Sequence, residues 1–302
     1  MILAADIGGT KTRLALFDLS GNILRQEKFA SAAFSDFNSL IHSFLPKREG
    51  IVSACLGIAG PVRDRMCKAT NLPWEVSSDA LEKEMGIPVV HLINDLEANA
   101  WGIKMLKEEE FYTVNQGKKR EGNQALISAG TGLGEAGIYW DGKKHHPFAC
   151  EGGHCDFGPT TEQELDLFVY MMKKYGHVSY ERVISGQGLV DIYEFLGGKD
   201  KTPEMITKEG CPLCIKSCEL FVSLYGSESS NAALKFFALG GVFLGGGIAP
   251  HLIDFFKQDI FMKAFLNKGR FASLLSEIPV KILLNDKAAL LGAFLFAREY
   301  ES

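Results

Sequence analysis

The chain carries the same small unit twice: an apolar strand, a loop of glycine and threonine, a second strand and a turn. The first copy runs through Met1-Ile2-Leu3-Ala4-Ala5, then Asp6-Ile7-Gly8-Gly9-Thr10, then Arg13 to Phe17, and turns at Ser20-Gly21-Asn22. The second runs through Ala125-Leu126-Ile127-Ser128, then Ala129-Gly130-Thr131-Gly132-Leu133-Gly134, then Glu135 to Trp140, and turns at Asp141-Gly142. Glycines let backbone N–H groups approach an anion without obstruction by Cβ, and threonine adds a hydroxyl donor. Two such loops facing each other would clamp the phosphates of a nucleotide. Neither loop has the spacing of a Walker A motif, nor that of the dinucleotide fingerprint that opens a helix. The residues after each loop read as a strand, which leaves a hairpin-type phosphate clamp.

At 302 residues the chain is long enough for two domains with a sizeable core. An apolar content of 46% with 23% charged residues is ordinary for a soluble globular protein. The net charge of −5 argues against a general nucleic-acid partner. Met1 leads straight into a strand, so neither a signal segment nor a preceding DNA-binding module is expected. The longest uncharged run, Phe236 to Pro250, is too short and too rich in glycine to span a membrane. Seven cysteines without a signal segment point to reduced thiols in the cytosol. Cys211, Cys214 and Cys218 cluster, but a zinc site would need His177 or a distant cysteine as its fourth ligand. The plainer expectation is a helix start carrying three partly buried thiols.

Short apolar runs alternate with longer amphipathic ones, which reads as α/β. Strands are expected at 2–6, 13–17, 23–29, 51–58, 89–93, 125–128, 135–140, 241–244 and 280–284. Short turns make the first three antiparallel neighbours, and intervening helices favour parallel addition of the later ones. Helices are expected over Ser39–Leu45, ended by Pro46, and over Glu162–Tyr175, with Leu165, Phe168, Val169 and Met172 at helical spacing. A second repeat supports the first. Ile93-Asn94-Asp95 and Leu284-Asn285-Asp286 both read as a strand end followed by Asn-Asp and a helix, and Ile58-Ala59-Gly60-Pro61 echoes Gly247-Ile248-Ala249-Pro250. Duplication would give two similar halves with a central cleft, a small domain of 1–106 plus 286–302 and a large one of 107–285. From the residues alone, the C-terminal helix from Lys287 to Tyr300 could belong with either half.

Asp6 ends the first strand beside its loop, where a carboxylate would repel phosphate unless Mg²⁺ intervenes; a turn cap is the alternative. Gly245-Gly246-Gly247 offers a flat, side-chain-free floor that suits a nucleobase or ribose, or else close packing. Asn94-Asp95 stands at the carboxyl end of a strand, where α/β sites gather. A carboxylate there can take the proton of an attacking hydroxyl while the amide orients the substrate, but Asp95 could equally cap the next helix. Glu151-Gly152-Gly153-His154 suits a polyol whose hydroxyls each need a partner. Glu181, by default, is a surface helix residue. Nothing in the residues selects Asp95 over Asp286.

Together these segments resemble the bacterial hexokinase-type glucokinases of the actin-like ATPase superfamily, nearly end to end. The resemblance rests on Asp6-Ile7-Gly8-Gly9-Thr10, Leu56-Gly57-Ile58-Ala59-Gly60-Pro61, Thr70-Asn71-Leu72-Pro73-Trp74, Ile93-Asn94-Asp95, Gly130-Thr131-Gly132-Leu133-Gly134, Glu151-Gly152-Gly153-His154-Cys155-Asp156-Phe157, Glu181-Arg182-Val183-Ile184-Ser185-Gly186 and Leu244-Gly245-Gly246-Gly247-Ile248-Ala249-Pro250. It implies a two-domain actin-like (ribonuclease H-like) fold and ATP-dependent phosphorylation of D-glucose in glycolysis, with Mg²⁺. Asp95 would be the general base, with Asn94 and Asn71 on the sugar, and Glu151, His154 and Glu181 would hold the anomeric side of its ring. Ala5, Asp6, Ile7, Gly8, Gly9 and Thr10 would contact the ATP phosphates, with Gly130, Thr131, Gly132, Gly245, Gly246 and Gly247 completing the nucleotide site. The resemblance also selects Asp95 over Asp286, places the C-terminal helix on the small domain, and implies a cytoplasmic homodimer.

Two departures stand out. Lys11-Thr12 occupies positions where relatives often carry Asn and Ala. The zinc motif of the related repressor/open-reading-frame/kinase family is missing after His154, so no metal ligand is expected. Alternatives are a kinase for mannose, fructose or an amino sugar, a sugar-sensing regulator, and a filament or chaperone ATPase of the same superfamily. Phe255-Phe256 and Phe261 could pack internally or across a dimer.

Overall fold

Short apolar runs separated by turns and helices in the N-terminal segment build a five-stranded sheet. The computed structural model describes residues 1–45 and 50–300, so Pro46 lies outside the described residues. Two compact units emerge, one of residues 1–107 with 287–302 and one of residues 108–286.

In the first unit, β1 (Ile2–Ile7), β2 (Lys11–Phe17) and β3 (Ile23–Ala30) form an antiparallel meander. β4 (Ser53–Ile58) is followed by a small antiparallel sheet of β5 (Val62–Arg63), β6 (Met66–Lys68) and β7 (Glu75–Ser77), then by β8 (Val90–Asn94). β4 lies parallel to β1, and β8 parallel to β4. The order of the main sheet is β3-β2-β1-β4-β8. Successive residues face opposite sides of a strand. Leu3, Ala5 and Ile7 therefore pack with the helix Phe37–Phe44, while Ile2, Ala4 and Phe17 pack with α1 (Asp95–Gly102) and the C-terminal helix Ala288–Glu299. Phe294 of that last helix stacks on Phe17 with ring centroids 4.4 Å apart. Its backbone meets that of α1 directly, since a Cβ at Gly292 would collide with the carbonyl of Ala98.

The second unit repeats the pattern. Its strands are β9 (Phe111–Asn115), β10 (Gln124–Ala129), β11 (Leu133–Trp140), β12 (His145–Cys150), β13 (Gly241–Gly245) and β14 (Val280–Leu283). They lie in the order β12-β11-β10-β13-β14-β9, which is the first sheet's order with one edge strand added. Against this sheet pack α2 (Glu162–Tyr175), α3 (Tyr180–Val183) and α4 (Pro212–Lys235), among other helices. Most of α4 is buried, including Phe221, Tyr225, Glu228 and Ser229. A helix buried on all sides has no polar face for periodicity to reveal.

Three expectations change. Of the sequence stripe on α2, Phe168 packs against the core, whereas Leu165, Val169 and Met172 face outward, at 53%, 38% and 44% exposure. The helix instead buries Leu167, Met171 and the Glu164 carboxylate, which accepts from the backbone and hydroxyl of Thr160. Phe256 and Phe261 lie inside the core, and Phe255 packs against it, so these rings need no partner chain. Cys211 caps the N-terminus of α4 and is disulfide-bonded to Cys214, one turn on, with Cα atoms 5.0 Å apart. A helical turn brings the two within bridging reach, so the expectation of free thiols fails for this pair. Cys218 is buried, and its thiol donates to the carbonyl of Ile206.

Candidate active site

In the first unit the parallel register aligns three strand ends. Ile7 of β1 pairs with Ile58 of β4, and Ile58 with Asn94 of β8, so the 6–10 loop, Gly60 and Asp95 follow adjacent strands. Asn94 is the N-cap of α1: its Oδ1 accepts from the backbone N–H of Leu96 at 2.9 Å and of Glu97 at 3.4 Å. Its Nδ2 donates to the carbonyl of Gly60 at 3.3 Å, which leaves one amide hydrogen for a ligand. The cap expected at Asp95 is therefore made by Asn94. Asp95 is the first residue of the helix, and its Oδ1 accepts from Leu96 N–H at 3.0 Å. Carboxylate charge is favoured at this positive helix end. It reaches Cys67 of β6, whose thiol is pushed up to about 11 by burial and by Asp95. In the second copy of the motif, the Asn285 side chain is bonded instead to Glu110, and Lys287 is the cap residue of the C-terminal helix.

The first glycine loop is braced from beneath. Thr12 and Ser31 are fully buried, their hydroxyls 3.0 Å apart, and Ser31 Oγ donates to the carbonyl of Gly8 at 2.8 Å. The Ser31 backbone N–H donates to the carbonyl of Thr10 at 3.1 Å. Thr12, a departure in the sequence, is thus a support of the loop, while Lys11 points to solvent. Asn71 lies against the same loop: a Cβ at Gly9 would sit 2.6 Å from Asn71 Cβ. Asp6 pairs with Arg13 across β1 and β2, at 3.9 Å.

In the second unit the two remaining glycine loops are neighbours, because β10 and β13 are parallel partners with Ser128 opposite Gly245. Gly246, at φ +80°, comes so close to the carbonyl of Ala129 that no Cβ would fit. Beneath both loops stands Tyr225 of α4, fully buried. Its hydroxyl lies 2.9 Å from the carbonyl of Ile127 and 3.3 Å from that of Gly245, and accepts from Ala129 N–H at 3.3 Å.

Glu151, His154 and Glu181 form a row. His154 Nε2 lies 3.9 Å from Glu151 Oε2, and Nδ1 lies 3.9 Å from Glu181 Oε1. These gaps exceed hydrogen-bond length, so the three side chains keep capacity for a ligand. Glu181 is no surface residue by default. Its Oε2 accepts from Leu133 N–H at 3.0 Å, and a Cβ at Gly132 would collide with that oxygen. The sequence marks the loops, this row and Thr12, but carries no signal for Ser31 and Tyr225, whose contacts come from distant segments.

A sequence model of the glucokinase family matches residues 3–300. The chain belongs to the glucokinase family. Glucokinases of Nostoc sp. and Synechocystis sp. are each 37% identical to it, with 98% of both chains covered. The crystal structure of glucokinase from an Antarctic psychrotroph matches with a TM-score of 0.85 and 29% identity, over 99% of this chain and 98% of that one. The family's fold is the two-domain α/β fold of the actin-like ATPases, as described above. Mg²⁺ usually takes one or two carboxylates and completes its shell with water and phosphate oxygens. A single carboxylate at Asp6 beside the first loop fits that demand; among the described residues no cluster of three or more ligating side chains exists. No helix among the described residues is long and apolar enough to cross a membrane.

Proposed function

We propose that Asp95 is the general base of the reaction and that the remaining site residues divide between sugar and nucleotide. The chain is a glucokinase-family kinase, and its reaction is ATP-dependent phosphorylation of glucose. As the sugar's 6-hydroxyl attacks the γ-phosphorus, its proton passes to the Asp95 carboxylate and the bond to the ADP oxygen breaks. Asn94, held by its cap and by Gly60, keeps one amide hydrogen for a neighbouring hydroxyl. Asn71 is assigned to the sugar with it. Glu151, His154 and Glu181 hold the ring's anomeric side, as acceptors and an adaptable donor. Residues Ala5 to Thr10, Gly130 to Gly132 and Gly245 to Gly247 hold ATP through backbone N–H groups. Phosphoryl transfer needs positioning and charge neutralisation more than covalent catalysis. Mg²⁺ beside Asp6 would supply neutralising charge at the phosphates.

The row of Glu151, His154 and Glu181, whose side chains make no hydrogen bonds to one another and which is tied to the second glycine loop through Glu181, carries this reading. A cytoplasmic enzyme feeding glycolysis, working as a homodimer, accords with the family; the outward apolar stripe on α2 supports a second copy as its cover. A coupled assay across glucose, mannose, fructose and glucosamine, with ATP, ADP and polyphosphate as donors, tests the assignment. Saturable glucose-dependent ADP release with ATP is expected, lost in Asp95→Ala. Light scattering after gel filtration tests the dimer.

A further inference from the structure

Beneath the sugar-binding row lies a carboxyl that the reaction does not use. Glu135 of β11 is 1% exposed, and its Oε1 has no hydrogen-bond partner among the described residues. Its register partner is Cys150, the residue before the 151–154 segment. A Cβ at Gly152 would collide with Glu135 Oε2, so the turn that carries Glu151 and His154 rests directly on this carboxyl. On its other side Glu135 neighbours Glu228 of α4, itself fully buried. Two carboxyls buried side by side disfavour a second negative charge.

Glu228 is in turn fixed. Its Oε2 accepts from Asn231 Nδ2 at 2.8 Å, and its Oε1 from Lys235 Nζ at 3.3 Å. The same Asn231 amide donates to the Tyr180 hydroxyl at 2.8 Å. Tyr180 is the first residue of α3 and the chain neighbour of Glu181. A continuous chain of contacts therefore runs from the Gly152 turn through Glu135, Glu228 and Asn231 to the helix that presents Glu181.

We propose that Glu135 is a positioning residue for the sugar site: buried beneath the Gly152–His154 turn and beside Glu228, it sets the height of that turn and couples it to α3. This deepens the function proposed above and rests on the assignment of Glu151, His154 and Glu181 to the sugar. Burial, then the neighbouring Glu228, push the Glu135 carboxyl well above its ordinary value, which favours its protonated form. Loss of the proton would leave two buried carboxylates in contact, with Lys235 to offset one of them. Lys268 also lies near Glu228, and Glu164 near Lys268. Tyr180, Tyr225 and Cys150 also face the pair, each pushed up by burial.

The test compares Glu135→Gln and Glu135→Ala with wild type by steady-state kinetics between pH 6 and pH 9, roughly the span around the Glu135 shift. Gln keeps a neutral donor towards Glu228 and cannot ionise. It should retain the wild-type KM for glucose at neutral pH and remove the rise in that KM expected of wild type as the pH increases. Ala removes the support and should raise the KM for glucose roughly tenfold or more, with a smaller change in kcat, the usual penalty for a misplaced binding group. An unchanged KM in Glu135→Ala overturns the proposal, as do equal defects in both variants or the same pH profile in wild type and Glu135→Gln. If Glu135→Ala melts out, the pH comparison of wild type with Glu135→Gln still decides. Glu151→Gln and Glu181→Gln serve as controls. If they leave the glucose KM unmoved, the sugar assignment itself fails; if they raise it while the Glu135 variants do not, only this proposal fails.

Discussion

Leu133 donates its backbone N–H to Oε2 of Glu181 at 3.0 Å, so the carboxylate we assign to the sugar also fixes the end of the second glycine loop. Its other oxygen, Oε1, faces His154. One side chain thereby links loop geometry to sugar geometry within the second unit. Glu181→Ala should raise the KM for glucose and for ATP together, each by about tenfold, since a lost hydrogen bond to a charged group is worth about 1.5–3 kcal/mol. Initial-rate measurements with each substrate varied in turn check this. A change confined to glucose would show that the loop does not depend on Glu181.

The two Asn-Asp copies make different contacts, and their variants should differ accordingly. Asp95→Ala should lower kcat by roughly 10²–10⁴, the size of a general-base effect, with an unaltered melting curve. Asp286→Ala should leave kcat near wild type, because Asn285 beside it is engaged with Glu110 and the helix there is capped differently. Equal losses in both would remove the basis for assigning Asp95.

Ser31 is a prediction for ATP rather than for sugar. Ser31→Ala leaves the carbonyl of Gly8 and the hydroxyl of Thr12 without a buried partner. The cost should be about 1–3 kcal/mol of stability, read from urea unfolding, with a raised KM for ATP and little change for glucose.

Tyr225→Phe removes one hydroxyl that serves β10 and β13 together. Its loss should destabilise the fold by about 1–3 kcal/mol and weaken ATP binding, since both glycine loops of the second unit leave those strands. Calorimetry of a non-hydrolysable ATP analogue binding to the variant measures the second effect.

Glu97 on α1 gives a pH dependence of stability. Burial pushes its carboxyl from 4.5 up to about 7. A raised carboxyl binds its proton in the folded state while the unfolded chain has released it, so stability falls as pH rises from about 4.5 through about 7. Melting curves of wild type and Glu97→Gln across that interval should converge at the acid end and separate towards neutral pH, with the variant the more stable.

Much of the fold is legible because the short apolar runs of β1, β2, β10 and β11 and the glycine loops between them are local signals. β12 was missed because Pro147 argues against a strand; at the sheet's edge a proline is tolerated. The period of Leu165, Phe168, Val169 and Met172 marks α2 but only Phe168 of the four packs inward, because the buried face also carries Glu164, which accepts from the backbone and hydroxyl of Thr160. In the site, Glu151, His154 and Asn94-Asp95 were visible as residue types in tight patterns. Ser31 and Tyr225 were not, because each supports its loop from a segment far off in sequence, and a lone serine or tyrosine carries no motif.

The C-terminal helix gives the chain an order of assembly. It fills the face of the first sheet that includes Ile2, Ala4 and Phe17, yet it is made after every residue of the second unit. During synthesis, residues 108–286 form a contiguous segment that can complete its core while the first unit still waits for its last wall. Ribosomal products that stop short of Ala288 would therefore leave the N-terminal sheet half covered, exposing apolar surface of the kind that chaperones and proteases recognise.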